Sequence, residues 1–254
     1  MNSLILLGVI VTFAATAAGS LPGLASRRLS ESSQRVLLGF SAGVMLAASC
    51  FSLILPAYES LGEGAGRGIL AVSSAILMGA GIVALLNLYV PHEHFGKGHE
   101  GPKTSVRAKS VWLFVMAIAL HNFPEGLAVG TSVGSGDESL ALPLLIGIGL
   151  QNLPEGFIVT ASLITIGIRA HHALGVAILT GFIEALSAVL GYFLVVQVVT
   201  ILPWALAFAG GAMIYVVSDE IIPETHEGTG ARWATMGLML GFVLMLAIDG
   251  FLGG

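Results

Sequence analysis

The sequence predicts an all-α membrane protein with eight transmembrane helices. Three observations predict it. Of 254 residues, 56% are hydrophobic and only 10% charged, with a mean hydropathy of +0.93; a soluble domain carries about 25% charged residues. Eight apolar stretches are each long enough to cross a ~30 Å hydrocarbon core. The basic residues fall in alternate linkers, as they do when one face of a polytopic protein stays in the cytoplasm.

The stretches run over residues 3–24, 36–57, 68–90, 110–133, 140–166, 173–197, 203–222 and 233–253, in one domain covering 1–254. The first contains Ala14-Ala15-Thr16-Ala17-Ala18, which looks like a signal-peptidase site, but no Lys or Arg precedes Arg27. Without a basic n-region it reads as a retained span. Arg27, Arg28 and Arg35 follow span one; Lys97, Lys103, Arg107 and Lys109 follow span three; Arg169 follows span five and Arg232 span seven. Only Arg67 falls on the other face. The positive-inside rule makes the first face cytoplasmic and puts both termini outside. The one long linker, 91–109, carries His, Gly, Lys and Pro and reads as a mobile cytoplasmic loop. Asp249, near the outer end of span eight, is expected to snorkel to the interface. Cys50 is the only cysteine, which excludes an intrachain disulfide and leaves a small packing residue. The net charge of −5 gives no sign of a nucleic-acid partner.

Two segments interrupt this pattern of apolar spans. Span four holds His121-Asn122-Phe123-Pro124-Glu125-Gly126, and span five holds Gln151-Asn152-Leu153-Pro154-Glu155-Gly156. His121 and Glu125 are four apart and share a helix face, as do Gln151 and Glu155. Pro124 and Pro154 have no N–H and each free one carbonyl. Counting along the helical rise places His121 about 16 Å into its span. Gln151 and Glu184 lie at similar depth and Met45 is slightly shallower. This is the midplane, where carriers keep their substrate sites.

A single amide at this depth reads equally well as interhelical glue. Three glutamates, a His and two Pro-broken helices do not. Carboxylates gathered in lipid repel unless protonated or neutralised by a divalent ion. Imidazole, carboxylate and thioether donors suit Zn²⁺ best, with Cd²⁺, Fe²⁺ or Mn²⁺ as alternatives, rather than Mg²⁺ or Ca²⁺. At the cytoplasmic side, His92, His94 and His99 in the long loop, with Asp219, Glu220, Glu224 and His226 after span seven, form an expected metal exit route.

On these motifs the chain resembles the ZIP (Zrt/Irt-like) metal transporters, bacterial type, over nearly its whole length. The resemblance implies a binuclear site. One position would use Met45, His121, Glu125, Gln151 and Glu155; the other would use Asn122, Asn152, Glu184 and the two shared glutamates. It implies an inverted repeat of spans one to three against six to eight around spans four and five. It also implies a homodimer in the inner membrane, and a unit of spans one, four, five and six that slides against the rest. Gln151 stands where many members carry His, and amide oxygen is the weaker zinc ligand. Asn152 leaves the second position less negative than an Asp would, so a second ion there is weakly held or structural.

The implied function is transport of Zn²⁺ or a related divalent ion into the cytoplasm, with no chemical bond made. A metal-gated channel or sensor with the same site is the alternative. An intramembrane zinc hydrolase needs a closed ligand set, a water position and a general base; His-Glu-x-x-His is absent and no second midplane His exists.

Overall fold

A computed structural model describes residues 3–25, 31–61, 65–89, 92–94, 98–100, 121–165, 167–226 and 231–253. Arg27, Arg28, Lys97, Lys103, Arg107, Lys109 and the expected start of span four at 110–120 lie outside them.

The described chain is built of helices. They are α1 (Ser3–Ala25), α2 (Glu31–Ala47), α3 (Leu55–Leu61), α4 (Ala65–Tyr89), α5 (described over 121–134), α6 (Glu138–Thr165), α7 (Ala170–Gln197), α8 (Leu202–Val216), α9 (Ile222–His226) and α10 (Ala231–Leu252). Among the described residues, seven tracks are long and apolar enough to cross a membrane: Leu4–Leu24, Ser32–Leu61, Gly66–Leu88, Glu138–Ile164, Ala170–Gln197, Leu202–Asp219 and Ala231–Leu252. The linker expected to be a loop contains a short antiparallel ribbon, β1 (His92–His94) on β2 (Gly98–Glu100), with Glu93 opposite His99.

Local chemistry sets the ends of the central helices. A turn at Ser135–Gly136 closes α5, with Gly136 at φ +76°, where a residue with Cβ is strained. Asp137 then caps α6. Its Oδ1 accepts from the Ser139 hydroxyl at 2.7 Å and the Ser139 N–H at 2.9 Å. These two bonds hold the Asp137 carboxyl below the usual carboxylate range. At the other end, Gly167 has φ +93°. Its N–H bonds the Ile164 carbonyl and that of Ile168 bonds Leu163, the paired closure of a Schellman cap.

Two tracks carry a π segment. Ala48–Ile54 joins α2 to α3, and Val217–Ile221 joins α8 to α9. Each widens the helix locally and rotates the turns beyond it relative to those before. Ala48, Ser49, Ser52 and Leu53 are buried there, while Cys50, expected inside, is exposed.

The helices fall into two groups, joined internally by close backbone approach. In one, Gly19 of α1 packs on the Leu153 carbonyl of α6, Gly156 of α6 on the Thr16 carbonyl of α1, and Gly130 of α5 on the Ala188 carbonyl of α7. In the other, Gly43 of α2 meets the Leu238 carbonyl of α10, and Gly211 of α8 meets the Ile76 carbonyl of α4. Among the described helical glycines, every such approach to another helix's backbone stays within α1, α5, α6 and α7 or within the remaining tracks. Without a hydrophobic drive between helices in lipid, such contacts are how helices associate. Across the seam side chains take part in the contacts, and a Cβ on Gly253, just beyond α10, would lie 3.2 Å from the Ser139 carbonyl of α6. Gly147 of α6 faces the Met245 sulfur of α10, and the Ser41 hydroxyl of α2 reaches the Gln151 carbonyl at 3.5 Å.

Asp249, expected to snorkel, has a partner inside the protein. Its Oδ1 accepts a 2.7 Å hydrogen bond from the buried Ser52 hydroxyl. The donor lies 197 positions away in the chain and satisfies one carboxylate oxygen.

Candidate metal centre

The site lies where α5, α6 and α7 meet. Pro154 sits inside α6, so the Leu150 carbonyl has no intrahelical donor. Gln151, Asn152 and Glu155 follow on that turn. Asn122 and Glu125 come from the first described turns of α5, and Glu184 comes from mid-α7. Asn122, Glu125, Gln151, Asn152 and Glu184 are all buried, none more than 1% exposed; His121 and Glu155 are partly exposed.

Gly126 sets the spacing between α5 and α7. A Cβ there would strike the Glu184 carbonyl and the Ser187 hydroxyl. The motif's glycine therefore brings the third carboxylate close, and the Ser187 hydroxyl bonds the same Glu184 carbonyl at 2.8 Å.

The three carboxylates are within electrostatic reach of one another, and His121 is within reach of Glu155. Amides stand between them. Asn122 lies against both Glu155 and Glu184. The Asn152 Nδ2 donates to Glu184 Oε1 at 2.9 Å and Oε2 at 2.8 Å, and lies 3.4 Å from the Thr12 carbonyl. With the carboxylates spread in this way, no three His, Cys, Asp or Glu side chains among the described residues form a metal cluster by themselves. The centre is a mixed set of carboxylates and amides.

Several atoms in it are buried without a protein partner: Glu125 Oε2, Gln151 Oε1 and Nε2, and Asn152 Oδ1. Leaving such atoms unpaired costs about 1–3 kcal/mol each. Oxygen donors left open beside carboxylates within electrostatic reach of one another are the chemistry a divalent cation satisfies.

Met45 is buried on α2, one turn beyond Ser41, whose hydroxyl reaches the Gln151 carbonyl. That register puts Met45 on the face of α2 turned to α6. Of the expected exit residues, Asp219 accepts a hydrogen bond from the Tyr215 hydroxyl at 3.2 Å. Both ring nitrogens of His226 are engaged. Nδ1 lies 2.9 Å from the Ile222 carbonyl and from the Thr225 hydroxyl, and Nε2 lies 3.0 Å from Thr235 Oγ1. The side chains of His92, His94, His99, Glu220 and Glu224 lie outside what is described.

Sequence reasoning missed the contribution of α1. Thr12, Thr16 and Ser20 recur every four residues and are all buried. Thr16 lies against Glu184, and Thr12 supplies the carbonyl beside Asn152. The signal was present: a hydroxyl stripe at helical spacing in an otherwise apolar span.

Comparison with known proteins gives a consistent result. The family described as ZIP Zinc transporter matches residues 89–249. The zinc transporter ZIPB of Bordetella bronchiseptica is 44% identical over 250 residues, covering 97% of this chain and 81% of its own length. The zinc transporter GufA of Myxococcus xanthus is 42% identical over 242 residues, covering 94% and 95%. The human zinc transporter ZIP11 is 33% identical over 334 aligned positions, covering 98% and 97%.

Proposed function

The chain belongs to the ZIP zinc transporter family, and from that premise we propose that it carries Zn²⁺ across the inner membrane into the cytoplasm by alternating access. It is a transporter, not an enzyme. The carrying observation is the set of buried oxygens left without protein partners, Glu125 Oε2, Gln151 Oε1 and Asn152 Oδ1, beside three carboxylates. The ion exchanges its water for Glu125, Glu155, His121, Gln151 and the Met45 thioether. Cd²⁺ binds the same donors, and Fe²⁺ and Mn²⁺ compete less well.

The helix pairing supports eight spans with an inverted repeat, α5 being the fourth span. Exchanging spans one to three with six to eight, and four with five, turns the α1–α6 pair into α7–α5 and the α2–α10 pair into α8–α4. Each of these four pairs is held by glycine-to-backbone contacts. The same exchange matches the two tracks that carry π segments. The group of α1, α5, α6 and α7 then slides as a body against the rest, moving the site from the outer to the inner side. Met45 belongs to the static group, so its thioether leaves the ion during the stroke. Asp219, Glu220, Glu224 and the loop histidines receive the ion inside, His226 once a ring nitrogen is released. Both termini face outward, and two copies associate in the membrane.

Zinc flux into proteoliposomes tests this reading. Saturable, slow uptake that cadmium inhibits is expected. Unsaturating flux would make the protein a channel, and no flux with an intact fold would remove the transport reading.

A further inference from the structure

The Asn152 nitrogen lies in the fork of the Glu184 carboxylate, within 2.9 Å of both oxygens. An ionised carboxylate accepts and does not donate, and the amide presents its nitrogen to both oxygens. That fork is where a chelated cation sits. Zinc binds carboxylate oxygen at about 2.0–2.2 Å, and no zinc can take up both oxygens while the nitrogen holds them. An Asp at this position would offer a second charge and no proton. Two facing carboxylates need a cation between them; an amide facing a carboxylate does not.

The surroundings hold this arrangement. Glu184 is fully buried, Gly126 and Ser187 fix its turn, and Thr16 lies against its carboxylate. The Thr12 carbonyl lies 3.4 Å from the amide nitrogen. The unpartnered Asn152 Oδ1 is the amide's remaining polar atom. Resting on the transport reading above, we propose that the Asn152 amide takes the place of a second metal in this chain, so the carrier binds and moves one divalent ion per cycle. Glu184 serves as a positioning residue that orients Asn152.

The test uses the full chain crystallised with cadmium and mapped by anomalous scattering, which separates midplane ions from any held by the loop histidines. One peak between Glu125 and Glu155, and none in the Asn152–Glu184 fork, is expected. Asn152→Asp should add a second peak in the fork and raise the midplane count from one to two. A fork peak in the unaltered protein overturns the proposal, as does an Asn152→Asp map without one. Should Asn152→Asp fail to fold, the map of the unaltered chain decides alone. A map with no midplane cadmium at all sinks the metal site itself and, with it, the transport reading.

Discussion

Gly126 of α5 packs directly on the backbone carbonyl of Glu184 in α7. The separation of those two helices, and so the reach of the third carboxylate, is set by the absence of one methyl group. Gly126→Ala should separate α5 from α7, cost about 1–3 kcal/mol of stability and weaken zinc binding. Gly175→Ala, where a Cβ meets open space on the same α7, should leave both unchanged or slightly improved. Thermal unfolding in detergent with zinc titration separates the two.

Glu125 is buried with one oxygen unpaired, an arrangement suited to a ligand and poorly suited to a packing residue. Glu125→Ala and His121→Ala should each lower zinc uptake at least tenfold while the protein still inserts. Proteoliposome uptake normalised to inserted protein measures this. Undiminished uptake would make the motif structural.

Gln151 lies against Glu125, yet neither of its side-chain polar atoms meets hydrogen-bond geometry with the protein. Gln151→His offers imidazole where an amide oxygen stood. Zinc binding should tighten about tenfold, near 1.4 kcal/mol, and release should slow. Calorimetric titration with unchanged affinity would take Gln151 out of the ligand set.

Ser52 donates to Asp249 across the α2 track and α10. A hydrogen bond to a charged group is worth about 1.5–3 kcal/mol. Ser52→Ala should lose most of that in denaturant unfolding, and Ser52→Thr, which keeps the hydroxyl, should lose less.

Val44 of α2 lies 3.6 Å from the site of a Cβ on Gly147 of α6, across the seam. Val44→Cys with Gly147→Cys, on a Cys50→Ser and Met245→Ala background that removes the sulfur a Cβ at 147 would strike, should cross-link under oxidation. If one group slides past the other, the cross-link stops uptake and reduction restores it. Full uptake in the oxidised protein would sink the sliding model.

The membrane class and the two motifs were legible in the sequence because both are local. Apolar runs announce themselves by length, and His121 with Glu125, or Gln151 with Glu155, share a face by helical arithmetic alone. The features that escaped depend on distant parts of the chain. The hydrogen bond of Asp249 was unreadable because its partner, Ser52, is 197 positions away. The π segments leave no mark in an all-apolar track, so the outward position of Cys50 was unreadable. The α1 hydroxyl stripe was readable and overlooked, since each Thr alone passes as an ordinary helix residue. The role of Asn152 turns on which end of its amide meets Glu184, and only packing decides that.

Among the described helical glycines, close backbone approach to another helix is confined to each group, while side chains such as Met245, Val44 and Ser41 reach across the seam. Side chains can trade neighbours by turning about a bond; main chains pressed together cannot. Met245 and Val44 are buried on that seam, so if the two groups slide, smaller side chains there should change turnover speed at some cost in packing.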